Sequence, residues 1–167
     1  MHAHFEPGLL GTGPIPVHMH QGRPTPWSEG VVIRVIPDEG NEWIANVQGG
    51  YGYANKIIPW PEAKLIFVIA NGGVYLLFPE EPNRWRFFDS SGIDGHISIR
   101  HELAIITTYT DVIAIRPHGA IAWRRSLAVD GVEIKQIDGD KIIGRACLDP
   151  PDYWIDVAMS VTDGSDA

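Results

Sequence analysis

Two histidine pairs are the residues whose spacing most directly suggests chemistry. His18 and His20 flank Met19, and His2 and His4 flank Ala3, with Glu6 close by. On a strand, positions i and i+2 point to the same face, so His18 and His20 could grip one metal ion. His96 or His101 could complete such a site, although nothing in the spacing ties either to the pair. The plainer reading is a solvated N-terminal arm. Asp149-Pro150-Pro151-Asp152 could hold two carboxylates on a rigid rim, for acid–base work or for a hard cation. A polar, proline-rich turn accounts for the same residues. Ser90 and Ser91 lack the surroundings of a nucleophile elbow. Cys147 lies between Ala146 and Leu148, which suits a buried, inert thiol. No Walker or Rossmann glycine motif is present. No catalytic constellation is assembled, so the chain reads as non-enzymatic and without a cofactor.

Aromatic residues offer a second kind of site. The chain has six tryptophans in 167 residues, and Trp is usually spent on cores, stacking platforms or interfaces. Trp43, Tyr51, Tyr53, Trp60 and Trp154 are expected to line a binding surface, with Trp27 and Tyr153 as further candidates. The competing expectation is that they plug the ends of sheets. Tyr51 and Tyr53 sit in Gly49-Gly50-Tyr51-Gly52-Tyr53, where glycines allow either close backbone approach or a mobile loop.

Bulk properties narrow the function class. A length of 167 residues corresponds to about one domain with a real core. The formal net charge of −8 argues against a general nucleic-acid binder and would suit a basic partner. One cysteine cannot form an intramolecular disulfide, so nothing indicates an oxidising compartment. No apolar run approaches the ~20 residues needed to span a bilayer. The start of the chain lacks the basic and apolar regions of a signal peptide. The expectation is a cytoplasmic protein that binds neither membrane nor nucleic acid.

The elements that must position these residues are strands. Residues 1–30 carry five prolines and are expected to be an irregular arm, mobile or strapped over a sheet. Residues 31–36 and 42–47 read as a hairpin around a turn at 37–41. Residues 65–87 and 103–125 then repeat one pattern at an offset of 38. Leu65 matches Leu103, Val74 matches Val112, Pro79 matches Pro117, and Trp85-Arg86 matches Trp123-Arg124. Each copy is read as three strands, at 65–70, 74–78 and 84–88 and again at 103–108, 112–116 and 120–127. Asn71-Gly72 supplies a hairpin turn in the first copy. A hairpin at 132–137 and 141–148 and an alternating strand at 153–161 follow, before a polar tail at 163–167 expected to fray. Residues 31–162 are thus read as a single all-β domain, an antiparallel meander of about a dozen short strands. A period near 40 residues made of strands is typical of propellers and related arrays.

The second copy supports a family resemblance. Val112-Ile113-Ala114-Ile115-Arg116-Pro117-His118-Gly119-Ala120-Ile121-Ala122-Trp123 resembles a blade of the quinoprotein (PQQ-dehydrogenase-like) β-propellers. Gly119 and Trp123 stand at the family's turn and strand-end positions. Arg116 and His118 replace its usual acidic residue and Thr, and the first copy keeps the Trp but not the Gly. The resemblance implies strand order and carries over no quinone-binding residue. Propellers need at least about four blades of some 40 residues, which is barely the whole chain. A partial propeller and a two-sheet sandwich are therefore both open. An open sheet would leave edges for a partner or a second copy to cover.

The expected function is a protein-binding domain, with an immunity-type inhibitor of a basic toxin as its most specific form. The alternatives are a metal-binding protein or metal-dependent enzyme using His18 and His20, and a small-molecule or sugar-binding domain using the tryptophans.

Overall fold

In the computed structural model, which describes residues 1–22 and 28–167, the chain is all β apart from two single turns of 3-10 helix. Its residues cluster into two compact units, Met1–Ser91 and Gly92–Ala167, where one domain over 31–162 was expected. Trp27, Pro24 and Pro26 lie outside the described residues.

The first unit holds two four-stranded sheets. One contains β1 (His2–Glu6), β2 (Val17–Met19), β3 (Val31–Ile36) and β4 (Trp43–Val47) in the order β1-β3-β4-β2. Residues 2–6 and 17–19 are therefore not part of an irregular arm, because they build both edges of this sheet. β1 pairs antiparallel with β3 and β2 pairs parallel with β4. Pro7, Pro14 and Pro16 all fall outside the strands, so no ladder hydrogen bond is lost to them. Met1 and Ala3 pack inward while His2 and His4 take the other face, the alternation that a pleated strand imposes.

The other sheet is the meander β5 (Lys56–Trp60), β6 (Leu65–Ala70), β7 (Gly73–Leu77) and β8 (Trp85–Asp89). Every residue of β6 and β7 is buried, as expected of a continuous apolar run covered on both faces. One face joins Ile33, Val35, Ala45 and Val47 of the first sheet to Ile66, Val68, Tyr75 and Leu77 in one core.

The second unit repeats this meander as β9 (Gly92–Ser98), β10 (Leu103–Thr108), β11 (Asp111–Ile115) and β12 (Ile121–Ser126). The 38-residue offset extends further than the sequence match does. β6 and β10 coincide under it, as do β7 and β11 and the 3-10 turns Pro61–Ala63 and Ile99–His101. Each turn ends on a left-handed residue, Lys64 at φ 54° or Glu102 at φ 51°. The repeated tryptophans, Trp85 and Trp123, each pack against the core of their own unit, as their shared register predicts. A three-stranded sheet, β13 (Val132–Asp138), β14 (Lys141–Asp149) and β15 (Tyr153–Ser160), completes this unit. Leu103, Ile105, Val112 and Ala114 form a core with Val132, Ile142, Met159 and Val161.

The C-terminal tail is tied down rather than frayed. Trp123 Nε1 donates to Val161 O at 2.9 Å, Arg125 Nη1 donates to Gly164 O at 2.6 Å, and Ser160 N donates to Ser165 O at 2.8 Å. All four sheets are open, and no helix among the described residues is long and apolar enough to cross a membrane.

Asp111 anchors the second meander electrostatically. Its carboxylate is buried at the start of β11, where it accepts from Arg124 Nε at 2.7 Å and from Ser126 Oγ at 2.5 Å. Burial alone would raise its pKa. The hydrogen bonds from Ser126 and Arg124, with the charge of Arg124, outweigh burial and hold the pKa below the usual carboxylate value. A depressed folded-state pKa stabilises the fold above the unfolded carboxyl's own pKa of about 3.9, and that contribution is lost as pH falls through the folded value. Asp111→Ala is expected to cost about 2 kcal/mol at neutral pH, because it removes a buried carboxylate that accepts from both Ser126 Oγ and Arg124 Nε. Urea unfolding of both proteins from pH 7 down to pH 3 checks this, and the gap should narrow toward the acid end.

Candidate binding surface

The loop of residues 48–54 is held against the second sheet of its unit by backbone hydrogen bonds. Gly50 N donates to Ala70 O at 3.1 Å, Tyr51 N to Ser90 O at 2.7 Å and Gly52 N to Asn71 O at 2.9 Å. Gly72 N returns the contact to Ala54 O at 3.1 Å. Three consecutive amides are thereby committed, and the loop is fixed rather than mobile. Its entry is pinned as well. Gln48 N donates to Met19 O, Gln21 Nε2 donates to Gly49 O, and Tyr75 Oη donates to Gln48 O at 2.9 Å. Burial pushes the Tyr75 phenol up to about 12, against a smaller lowering by Gln21, so it stays a donor at any physiological pH.

Glycine is what permits this approach. A Cβ on Gly50 would lie 2.2 Å from Ser90 O and 2.5 Å from Gly73 N. The side chains that cannot be packed inward are presented outward. Tyr51 is 86% exposed and Tyr53 is 92% exposed, the latter the most exposed large hydrophobic residue described. Two tyrosines on an immobilised loop give amphipathic contact area at low entropic cost, since only two side-chain torsions each remain to be ordered.

The other aromatics expected at a surface are placed differently. Trp43 and Trp60 are buried and belong to the core. Trp43 Nε1 donates to Pro79 O at 2.8 Å, and Trp60 stacks on Phe67 with ring centroids 6.4 Å apart. Trp154 lies on β15 in the second unit, half-buried under the guanidinium of Arg145, which sits 4.7 Å from a ring centroid. Tyr51 and Tyr53 are thus the two that share one exposed loop.

The histidine pair is divided between two environments. His18 is on β2, its Nδ1 3.0 Å from Asn46 Nδ2. His20 lies just beyond that strand, edge-on to Trp85 at 5.6 Å, and its buried Nδ1 has no hydrogen-bond partner. Among the described residues no three His, Cys, Asp or Glu side chains are grouped so as to hold a metal ion. Ser91 turns back on Asp89, with both its amide and its hydroxyl donating to Oδ1. Cys147 is buried.

One constellation escaped the sequence. Ser98 Oγ lies 2.8 Å from His101 Nδ1, and His101 Nε2 lies 2.8 Å from Asp140 Oδ1. The hydrogen bond from His101, aided by the charge of Arg100, holds Asp140 below the usual carboxylate pKa. The order Ser-His-Asp is that of a nucleophilic triad, and Ser98 as a residue is only 7% exposed. What the chain of bonds does is fasten the 3-10 turn after β9 to the turn between β13 and β14. Nothing in local spacing could reveal it, because 39 residues separate its last two members.

Comparison with protein-family models, curated proteins and solved structures found no match to this chain.

Proposed function

We propose that this protein is a non-catalytic docking module that engages a partner protein through the tyrosine-bearing loop at residues 48–54. The observation that carries this reading is the pairing of two almost fully exposed tyrosines with a backbone whose three consecutive amides are already hydrogen-bonded. Tyr is enriched among residues that dominate binding energy, and a preformed loop avoids the ordering cost that a mobile one would incur. The net charge of −8 favours a basic partner, which keeps an immunity-type inhibitor of a basic toxin as the most specific form of the proposal. A single buried cysteine accords with a reducing cytoplasm. The 38-residue recurrence of a four-stranded meander supports reading β5–β8 and β9–β12 as propeller-type blades that serve as the scaffold.

Affinity capture from the native lysate tests the proposal. The unmodified protein should retain one stoichiometric basic partner, and Tyr51→Ala/Tyr53→Ala should weaken that complex at least about 100-fold. Because both side chains are exposed, stability of the double variant should stay within about 0.5 kcal/mol of the parent. Undiminished capture by the double variant, or no partner at all, would overturn the reading.

A further inference from the structure

β1 sets two histidines side by side. The strand presents His2, His4 and Glu6 on one face, while Met1 and Ala3 pack into the core of the first unit. Five residue pairs to β3 hold it in that orientation, with His2 opposite Ile36, His4 opposite Arg34 and Glu6 opposite Val32. The two imidazole rings lie 5.6 Å apart, centroid to centroid, and are tilted by 32°. His2 is exposed and the His4 side chain is 44% exposed, so both are open to an ion from solution.

That spacing suits two ligands of one metal ion. Bonds of about 2.0–2.1 Å from ring nitrogen to a tetrahedral ion place two imidazole centroids roughly 5 Å apart. Closing from 5.6 Å takes about half an ångström, which the torsions of two exposed side chains supply without moving the strand. The strand itself is already ordered by its ladder, so little backbone entropy is lost on binding.

His4 is oriented for this role. Its Nε2 lies 3.4 Å from Glu6 Oε1, and an N–H aimed at that carboxylate leaves the lone pair of Nδ1 for a metal. A carboxylate behind the ring is the common partner of a metal-bound histidine, and it makes the ring a stronger donor. Glu6 is anchored in turn, since Arg34 Nε donates to the same oxygen at 2.6 Å. That bond keeps Glu6 behind His4 rather than on the metal, so the site has two protein ligands. Local charge favours a cation. Arg34 is shared with Glu42, and the two carboxylates and one guanidinium beside the rings carry about −1 in total.

We propose that His2 and His4 together bind a divalent late transition-metal ion, with Glu6 positioning His4 and water filling the remaining coordination positions. Neutral imidazole selects ions such as Zn²⁺, Ni²⁺ or Cu²⁺ over Mg²⁺ and Ca²⁺, which prefer oxygen ligands. The site shares no residue with the tyrosine loop and does not rest on the docking role proposed above.

The test uses the full chain without a histidine tag, with isotope-labelled imidazole nitrogens read by NMR, and Zn²⁺ and Mg²⁺ as probes. In the metal-free protein the His4 signals should report a proton on Nε2. One equivalent of Zn²⁺ should shift the ring nitrogens of His2 and His4 and leave those of His18, His20, His96, His101 and His118 in place. Calorimetry should give a Kd of about 1–10 µM, and Mg²⁺ should shift nothing. His2→Ala and His4→Ala should each weaken Zn²⁺ binding at least about 10-fold. Glu6→Gln should weaken it by about 10-fold and move part of the His4 proton to Nδ1. No binding below about 100 µM, an equal response from the other histidines, or full affinity without His2 or His4 would overturn the proposal. Full affinity in Glu6→Gln would overturn it too, because it would mark an adventitious ion only. The nitrogen signals of the unsubstituted protein need no variant, so a fold defect in Glu6→Gln cannot obscure the answer.

Discussion

Trp60→Ala is expected to lower the stability of the protein by about 3–5 kcal/mol, the range for deleting a large aromatic from a core. Trp60 ends β5, is 2% exposed and stacks on Phe67, which in turn meets Phe88 with centroids 6.0 Å apart. The substitution leaves a cavity at the edge of its sheet, where β5 is hydrogen-bonded to β6 alone. Partial collapse cannot fill it without moving Phe67, whose own strand is fully buried. Trp154→Ala is the informative control. That ring is half-buried and covered on one face by a guanidinium, so its loss should cost only about 1–2 kcal/mol. Urea midpoints of the two variants against the parent decide the matter, and equal losses would show that Trp60 is not the core residue its burial implies.

Gly50→Ala should do more damage than an added methyl group usually does. The new carbon would collide with backbone, Ser90 O on one side and Gly73 N on the other, and neither can swing away as a long side chain could. The loop must lift, which breaks the Gly50-to-Ala70 and Tyr51-to-Ser90 hydrogen bonds. Overpacking of this kind costs about 1–3 kcal/mol, and the exposed backbone groups can regain water, so about 2–3 kcal/mol is expected. Amide hydrogen exchange gives the sharper readout. Protection at Gly52 and Tyr51 should fall far more than protection in β6, and partner capture should fall with it even though both tyrosines are present. If capture survives while protection is lost, immobilisation of the loop is irrelevant to binding.

Much of the strand layout was legible in the chain. β6 and β10 follow the apolar runs beginning at Leu65 and Leu103, because a continuous apolar stretch bounded by turn residues has few other ways to bury itself. The repeat was legible for the same reason, and it placed Trp85 and Trp123 in equivalent packing roles. The strands that were missed are all at sheet edges. β1, β2, β5 and β9 carry His, Pro, Gly and Asp in place of apolar runs. An edge strand needs only one hydrogen-bonded side, so Pro59 sits in β5 and Gly95 in β9 without breaking the sheet.

The candidate site divides along a similar line. Sequence by itself determined that glycines and tyrosines alternate at residues 50–53, that the chain is acidic, and that no familiar catalytic motif is present. Only tertiary structure decided which aromatics face solvent. Trp43 and Trp60 have the same apolar bulk as an exposed platform would need, and neighbours distant in sequence, such as Pro79 for Trp43, claimed them for the core. Tertiary structure also decided that the glycine loop is rigid, because the groups that hold it, at residues 19, 70, 71 and 90, are remote in sequence. Local pattern reports how a segment buries its own side chains. Where two distant segments meet is set by the packing of whole sheets, and a binding surface is made of such meetings.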